Sequence, residues 1–456
     1  MKFLNRDYWI KSGSYTLITN LQSLLFGFGG FYLLVRTLDK DSFGVWVLFA
    51  STTTIFDMAR SGLIQNALIR FLSHSPESES NDILSASFFL SGILMIVCIV
   101  VNISLANYLA NLWQFPPLVQ MFYVYNIVYL LQGVLSQFQW IEQAKLSFKG
   151  ILITNIIKQG GFFFYILVCF LFHINITLMH LIYAQAICAL LGSVVEYFFI
   201  KKYLSFSFKL NTGWIKKLFN YGKFAFGTSI SSILGPTITQ MMLGALLSPV
   251  ATGGYNIAMR ITSLAAIPST VIGVIVFPQS SKRFATEGRD AAKYLYEKSV
   301  GSVLAVLIPV LLFIFLFPGF VVHAIAGGNY PETIAVTRLV VITCITTPFA
   351  RQFGTILDSI GMAKLNFIFI LFSTSAEWIV GYIMIKKYGL IGAAYGSLIV
   401  DLTILIAIQI ILNKKLGVNI LNSFIYAVRF YPEFLNKYIL PVKSAQDENQ
   451  NVGDIK

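Results

Sequence analysis

Charge is scarce in this chain. Only 12% of its 456 residues are Asp, Glu, Lys or Arg, about half the roughly 25% of a soluble domain. So little polar surface cannot cover a folded chain in water. Cysteine and histidine number 4 each. Cys98, Cys169, Cys188 and Cys344 fall in long apolar stretches without ligand spacing, which excludes a zinc site or a disulfide framework and leaves packing. His173, His180 and His323 are too scattered for a metal cluster. No G-x-x-x-x-G-K-[ST] loop occurs, so work driven by a bound nucleotide has no site. Alternating ten-residue strands are missing too, which excludes a β-barrel. Segments such as Asn111–Pro117, Asn175–Thr177, Ser248–Gly254 and Ala326–Glu332 are short. They leave no outer domain for a polymerase or acyltransferase, and no enzyme is expected.

What fills the chain is apolar sequence: 56% hydrophobic residues, with mean hydropathy +0.74. A membrane helix needs about 20 such residues, and backbone groups in lipid must bond within their own segment. The pattern predicts an all-α polytopic membrane protein with about 12 spans. They run Ser12–Val35, Gly44–Ala67, Ile83–Ala110, Leu118–Phe138, Ile151–His173 and Leu178–Ile200. The second set is Gly222–Leu247, Tyr255–Pro278, Val300–Ile325, Thr333–Thr355, Leu365–Ile385 and Leu390–Leu412. The aromatic and basic stretch Phe424–Leu440 reads as interfacial. The polar end, Ser444–Lys456, reads as a disordered tail.

Two echoes suggest a duplication. Ile141-Glu-Gln-Ala-Lys-Leu-Ser-Phe148 resembles Ile360-Gly-Met-Ala-Lys-Leu-Asn-Phe367, 219 residues later. Ser42-Phe43-Gly44 resembles Thr252-Gly253-Gly254, 210 residues later. Six spans per half make the repeat parallel, a layout that frames a central pathway between two lobes. The expected lobes are residues 1–200 and 224–413, with a basic linker 201–223 and a tail 414–456.

Lys and Arg set the orientation. With both termini in the cytoplasm, 27 of the 33 basic residues fall on the inner side. Only Arg36, Lys40, Lys386 and Lys387 fall outside, and Arg260 and Arg338 remain within spans. The net charge of +13 then answers to anionic membrane lipids rather than to nucleic acid.

Several stretches carry a family resemblance. Arg36-Thr-Leu38-Asp-Lys-Asp-Ser-Phe43-Gly44-Val-Trp46 resembles an R-x-L-x-x-x-x-F-G-x-[YW] stretch of bacterial polysaccharide flippases. Gly254-Tyr255-Asn-Ile-Ala258-Met-Arg260, followed by Pro268, Gly273 and Phe277-Pro278-Gln-Ser280-Ser-Lys282, is similar to a pattern they share with lipid II flippases. Gly389-Leu-Ile-Gly392-Ala393-Ala394 is similar to the opening of their twelfth span. These belong to the multidrug/oligosaccharidyl-lipid/polysaccharide (MOP) superfamily. The resemblance implies a MATE-like pair of six-helix lobes in the bacterial inner membrane. It implies a flippase that moves undecaprenyl-pyrophosphate-linked oligosaccharide from inner to outer leaflet by alternating access. A polysaccharide polymerase and a chain-length regulator would be its partners. It needs no cofactor beyond a coupling H+ or Na+. One departure stands out: where the seventh span of the family often carries an acid, this chain has Gln240.

A pyrophosphate crossing a bilayer needs cations that stay charged at low dielectric, which suits arginine. Arg260, Arg338 and Arg36 are therefore candidates for the anion. The alternative for each is a salt bridge with a buried acid, or snorkelling to the headgroups. Glu377 and Asp401, with Thr403, are candidates for the coupling-ion site; an internal ion pair with Arg338 is the alternative. Asp57 and Arg60 lie three apart and should pair on one helix face. Glu142, Lys145, Asp358 and Lys364 read as solvated span ends. Gly235 and Pro236 are the candidate hinge. The competing function is a MATE-type multidrug/cation antiporter. Such exporters usually hold acids deep in the first lobe, and spans one, three and five here carry none.

Overall fold

The computed structural model describes residues 6–204 and 211–435, and the tail from Ser444 lies outside them. Most of the described residues are helical, joined by short turns, with no strand among them. The helices are α1 Arg6–Thr37, α2 Lys40–His74, α3 Glu77–Leu112, α4 Leu118–Ala144, α5 Lys149–Asn155, α6 Gly161–Leu171, α7 Leu178–Ile200 and α8 Thr212–Leu246. Then come α9 Pro249–Glu287, α10 Arg289–Leu316, α11 Pro318–Ala326, α12 Thr333–Thr343, α13 Thr347–Ser359, α14 Ala363–Tyr388, α15 Leu390–Leu416 and α16 Ile420–Phe434. A π-helical turn, Ile156–Gly160, joins α5 and α6 into one span. Eleven spans are long and apolar enough to cross a membrane, and α8 adds a shorter apolar stretch, Ile233–Leu246. This is the polytopic all-α architecture that the composition requires.

Side chains that would be misplaced in water cover the helices. Phe172, Phe320 and Phe372 are 72%, 67% and 67% exposed, as expected where lipid is the solvent. Helix starts are fixed by side-chain caps, which satisfy backbone donors that have no partner within the helix. Asp39 Oδ1 accepts from Ser42 N–H at 3.0 Å before α2. Thr177 Oγ1 accepts from His180 N–H at 3.3 Å before α7. Ser248 Oγ accepts from Ala251 N–H at 3.2 Å as α9 begins.

By packing, the chain divides into two units. One comprises the described residues up to Asn256 with His323–Tyr330, and the other comprises Ile257–Val322 with those from Pro331 onward. The division falls inside α9, later than the boundary near residue 224 suggested by the repeat. The reason is α8, which packs along α2. Gly222 of α8 lies against the backbone carbonyl of Leu63, where a Cβ would collide, and Gly244 lies against Leu48. Helix α2 also contacts α1, α3 and α4, so it is the central post of the first unit. In the second unit, α10 packs on α12, α13, α15 and α16. Tyr296 is buried there and donates to the Phe349 carbonyl at 3.3 Å.

The interfacial stretch read near Phe424–Leu440 is α16 as far as it is described; residues from 436 lie outside. Helix α16 is held to α10 by close approach at Gly301, whose missing Cβ leaves room for the Ser423 carbonyl. Buried Glu297 of α10 caps it, accepting from Asn419 N–H at 2.9 Å and Asn422 Nδ2 at 3.0 Å. Its other face exposes Leu421, Ile425 and Val428, the amphipathic arrangement of a helix lying at a membrane surface.

The duplication is visible in the backbone, in a different register from the sequence echoes. After α4, Lys145 N–H donates to Ile141 O, Leu146 N–H to Gln143 O and Ser147 N–H to Glu142 O. After α13, Ile360 N–H donates to Ile356 O, Gly361 N–H to Asp358 O and Met362 N–H to Leu357 O. The two closures are the same, and their left-handed residues are Leu146 (φ 58°) and Gly361 (φ 85°). The structural offset is thus 215 residues, so the eight-residue echo at 219 does not superpose its two copies. The second echo is displaced by one residue. Asp39 corresponds to Ser248 by its cap, and Gly44 therefore corresponds to Gly253.

Gly44 and Gly253 touch. A Cβ on Gly44 would collide with the Pro249 carbonyl, and one on Gly253 would lie 3.0 Å from Phe43 Cδ1 and 3.3 Å from Gly44 Cα. Two helix starts can cross this closely only without side chains. Gly44→Ala should lower stability by roughly 1–3 kcal/mol, the usual overpacking cost. Gly27→Ala, with nothing within 4 Å of the added carbon, should leave stability level or raised. Thermal unfolding of the two variants in detergent checks the contrast, and equal midpoints would exclude a tight crossing.

Candidate functional site

The second unit contains a cavity of about 780 Å³ between α9, α13, α14 and α15. Glu377 from α14 and Asp401 from α15 both line it, so the two acids named from sequence are brought together in one cavity. Thr403 is not among its lining residues. Its hydroxyl donates to the Ile399 carbonyl one turn back at 2.8 Å, and its side chain is exposed. A salt bridge to a buried acid was the alternative for Arg338, but that arginine is exposed on α12.

The cavity adds residues that the sequence reading does not assign to a site, Asp358 among them as a span end. Arg351 of α13 lines it and donates to Thr270 Oγ1 at 3.2 Å. Asp358 lines it too, and both its oxygens accept from Asn366 Nδ2 at 3.0 Å. Ser269, Thr355 and Ser373 add hydroxyls. Spacing along α13 carried the signal, since Arg351, Thr355 and Asp358 follow at four and three residues and share a helix face.

Arg260 lies eleven residues into α9, about 16 Å along the helix. It is half-buried, among the buried residues Ile257, Ala258 and Ile261. Even lenient insertion scales place the cost of a mid-bilayer arginine near ~2.5–3.5 kcal/mol. Arg36 is differently employed. Its guanidinium donates to the carbonyls of Ala324 at 2.7 Å, His323 at 3.3 Å and Ile325 at 3.4 Å, and stacks over Tyr32 at 4.3 Å. It closes the C-terminal end of α11, where the helix dipole favours a cation. Nη1 is the one nitrogen of this arginine outside those three bonds.

The hinge candidates sit in an unbroken helix. Helix α8 continues through Pro236, and the Gly235 carbonyl accepts from Thr239 Oγ1 at 3.2 Å. Gln240 ties three helices together: its side-chain oxygen accepts from Ser51 of α2 at 2.6 Å, and its carbonyl accepts from Thr252 of α9 at 3.2 Å. The neutral amide thus has a structural task in the position where the family often has an acid.

The first unit has its own buried charges. Arg60 pairs with Asp57 at 3.0 Å, as their spacing suggested. It also reaches Ser136 Oγ at 3.3 Å and the Gly133 carbonyl at 3.5 Å, both on α4, and is 3% exposed. Lys158 is one of the 27 cations that the orientation count assigns to the inner side, yet it lies well within the span Ile151–His173, on the π-helical turn. There its ammonium donates to Gln132 Oε1 at 3.4 Å. Glu142 is likewise no solvated end. It is 1% exposed and accepts from Ser147 Oγ, Gly150 N–H and Ile151 N–H at 2.7, 3.0 and 2.8 Å, capping the start of α5. Beside it, Glu196 is fully buried and accepts from Thr154 Oγ1 at 2.9 Å.

Comparison with known proteins places this architecture. The fold is similar to those of solved transporters, one of them described as a member of the MOP superfamily. It matches "Lipid II flippase MurJ, inward closed conformation" with TM-score 0.73 at 13% identity, over 94% of this chain and 93% of that one. It also matches an inward-facing MATE family multidrug resistance transporter with TM-score 0.70 at 14% identity, over 91% and 96%. Residues 9–284, more than half of the chain, match the family described as "Polysaccharide biosynthesis protein", and the chain belongs to that family. A curated relative is "Lipopolysaccharide biosynthesis protein WzxC" of Escherichia coli (strain K12), 20% identical over 415 residues, 87% of this chain and 79% of the relative. The chain is thus a polytopic membrane protein of a polysaccharide biosynthesis family.

Arg60 holds Asp57 and α4 at once, so Arg60→Leu should cost about 2 kcal/mol or more by stranding their acceptors. Asp57→Asn/Arg60→Leu should recover part of that loss. A double-mutant cycle on thermal unfolding reads the coupling, and additive losses would show that the two side chains do not support each other.

Proposed function

We propose that this protein is a flippase for lipid-linked oligosaccharide, moving an undecaprenyl-pyrophosphate-borne repeat unit from the inner to the outer leaflet. The observation that carries the reading is Arg260, a guanidinium kept half-buried deep within α9. Family membership supplies the context: polysaccharide biosynthesis on a fold shared with a lipid II flippase. The pyrophosphate is the charged part of such a cargo, and a guanidinium fork neutralises it while matching its oxygens. Arg338, exposed on α12, is a second candidate contact. Arg36, with three donor contacts to the end of α11, is better suited to holding its loop than to holding phosphate.

In this reading access alternates between lobes 1–200 and 224–413, with Gly235 and Pro236 in α8 taking up the bend. The segments 201–223 and 414–456, like both termini, lie in the cytoplasm, and the membrane is the bacterial inner membrane. Glu377 and Asp401 bind the coupling H+ or Na+, since two carboxyl groups facing one cavity are the chemistry that holds a small cation in a membrane. Thr403 has no part in that site. A polysaccharide polymerase and a chain-length regulator receive the cargo.

A second reading, export of organic cations, is favoured by the same pair of acids, because an acid-lined cavity also suits a cationic drug. Deletion separates the two. Loss of surface glycan with unchanged drug susceptibility supports the flippase, and the reverse supports the exporter. For the flippase itself, Arg260→Ala and Arg260→Lys should each abolish repeat-unit export at normal membrane abundance. The lysine keeps the charge but loses the fork. Unchanged export in both variants would remove Arg260 from the mechanism.

A further inference from the structure

We infer that the cavity of the second unit is the saccharide site of this carrier, and that its lining restricts it to neutral and amino sugars. The inference rests on the flippase reading above and assigns the part of the cargo that the arginines do not.

Size comes first. The cavity holds about 780 Å³, within the range of about 300–1,000 Å³ typical of small-ligand sites. A dehydrated cation by itself takes up no more than the space of one water molecule, about 30 Å³. An ion at Glu377 and Asp401 therefore leaves most of the cavity to something larger.

The lining has the chemistry of a sugar site. Hydroxyl groups of a sugar both donate and accept, so they need a mixture of partners. Carboxyl groups of Asp358, Glu377 and Asp401 accept; the amide of Asn366 and the guanidinium of Arg351 donate. Sugars also present C–H faces that pack on aromatic rings, and Phe277, Phe353 and Phe369 all line the same space. Phe353 and Phe369 already pack together, with centroids 4.8 Å apart, so they form a fixed wall.

The restriction follows from the balance of that lining. Three carboxyl groups face one guanidinium among the described lining residues, and a single coupling cation held by Glu377 and Asp401 still leaves the acids in excess. That guanidinium already donates to Thr270. A carboxylated sugar would lose its hydration and meet acids on α13, α14 and α15, with Arg351 as its one cation. A neutral sugar meets only hydrogen-bond partners, and an amino sugar gains a counter-ion. The arrangement rejects by charge what it would accept by shape.

The test offers proteoliposomes two polyprenyl-diphosphate disaccharides that differ only in glucose or glucuronate at the terminal position. Wild-type protein should move the neutral cargo at least tenfold faster. Asp358→Asn and Asp401→Asn should each narrow that ratio to about threefold or less, whatever they do to the absolute rate. Where a variant transports neither cargo, the same ratio is read as equilibrium binding of the two lipids to the purified protein in detergent. A wild-type ratio near one, or a ratio unmoved by both variants, overturns the inference. Loss of both cargoes in Arg260→Ala would then leave the flippase reading standing. Failure of wild-type protein to move or bind either lipid defeats that reading and the inference with it.

Discussion

A polar group that leaves water must find its partner inside the protein. In a bilayer that requirement covers every backbone amide and every charged side chain, and most of this structure can be traced to it. It makes the chain helical, since only helices satisfy their own backbone within one segment. It places caps at helix starts and left-handed closures at helix ends. It also explains where the charges went: Glu142 into the start of α5, Glu297 into the start of α16, Arg36 onto the carbonyls at the end of α11 and Arg60 between Asp57 and α4. Each of these charges is matched to a local need of the fold.

The two acids of the second unit stand apart. Glu377 and Asp401 face an open cavity rather than a helix terminus. A fold alone gains little from acids in a cavity. The two classes of charge differ in what would happen if they were neutralised. The first class would loosen helices, and the second would leave the architecture in place and change what the protein can hold.

Much of the architecture was legible in the sequence because hydrophobic length is a strong signal. The spans correspond to helices, and the Asp57–Arg60 pair followed from a spacing of three. Other features were hidden for physical reasons. Lys158 lies nine residues beyond Lys149, which already implied a depth of about 14 Å, but a positive residue near a basic loop is easily counted with it. Glu142 looked like a solvated end because its partners are backbone N–H groups, which leave no mark in the sequence. The cavity residues Arg351, Asp358 and Asn366 were hidden because a cavity belongs to several helices at once. The repeat shows the limit most clearly. Matching letters gave an offset of 219, whereas matching hydrogen bonds gives 215, with Leu146 occupying the left-handed position held by Gly361 in the other half. Backbone shape outlasted residue identity.

The contact between Gly44 and Gly253 bears on how such a chain could arise. If the two halves descend from one unit that paired with a copy of itself, this position once faced its own twin. Any side chain acquired there would have appeared on both sides of the gap together, doubling the obstruction. On that premise the join keeps, at one point, the contact that two separate chains would have made.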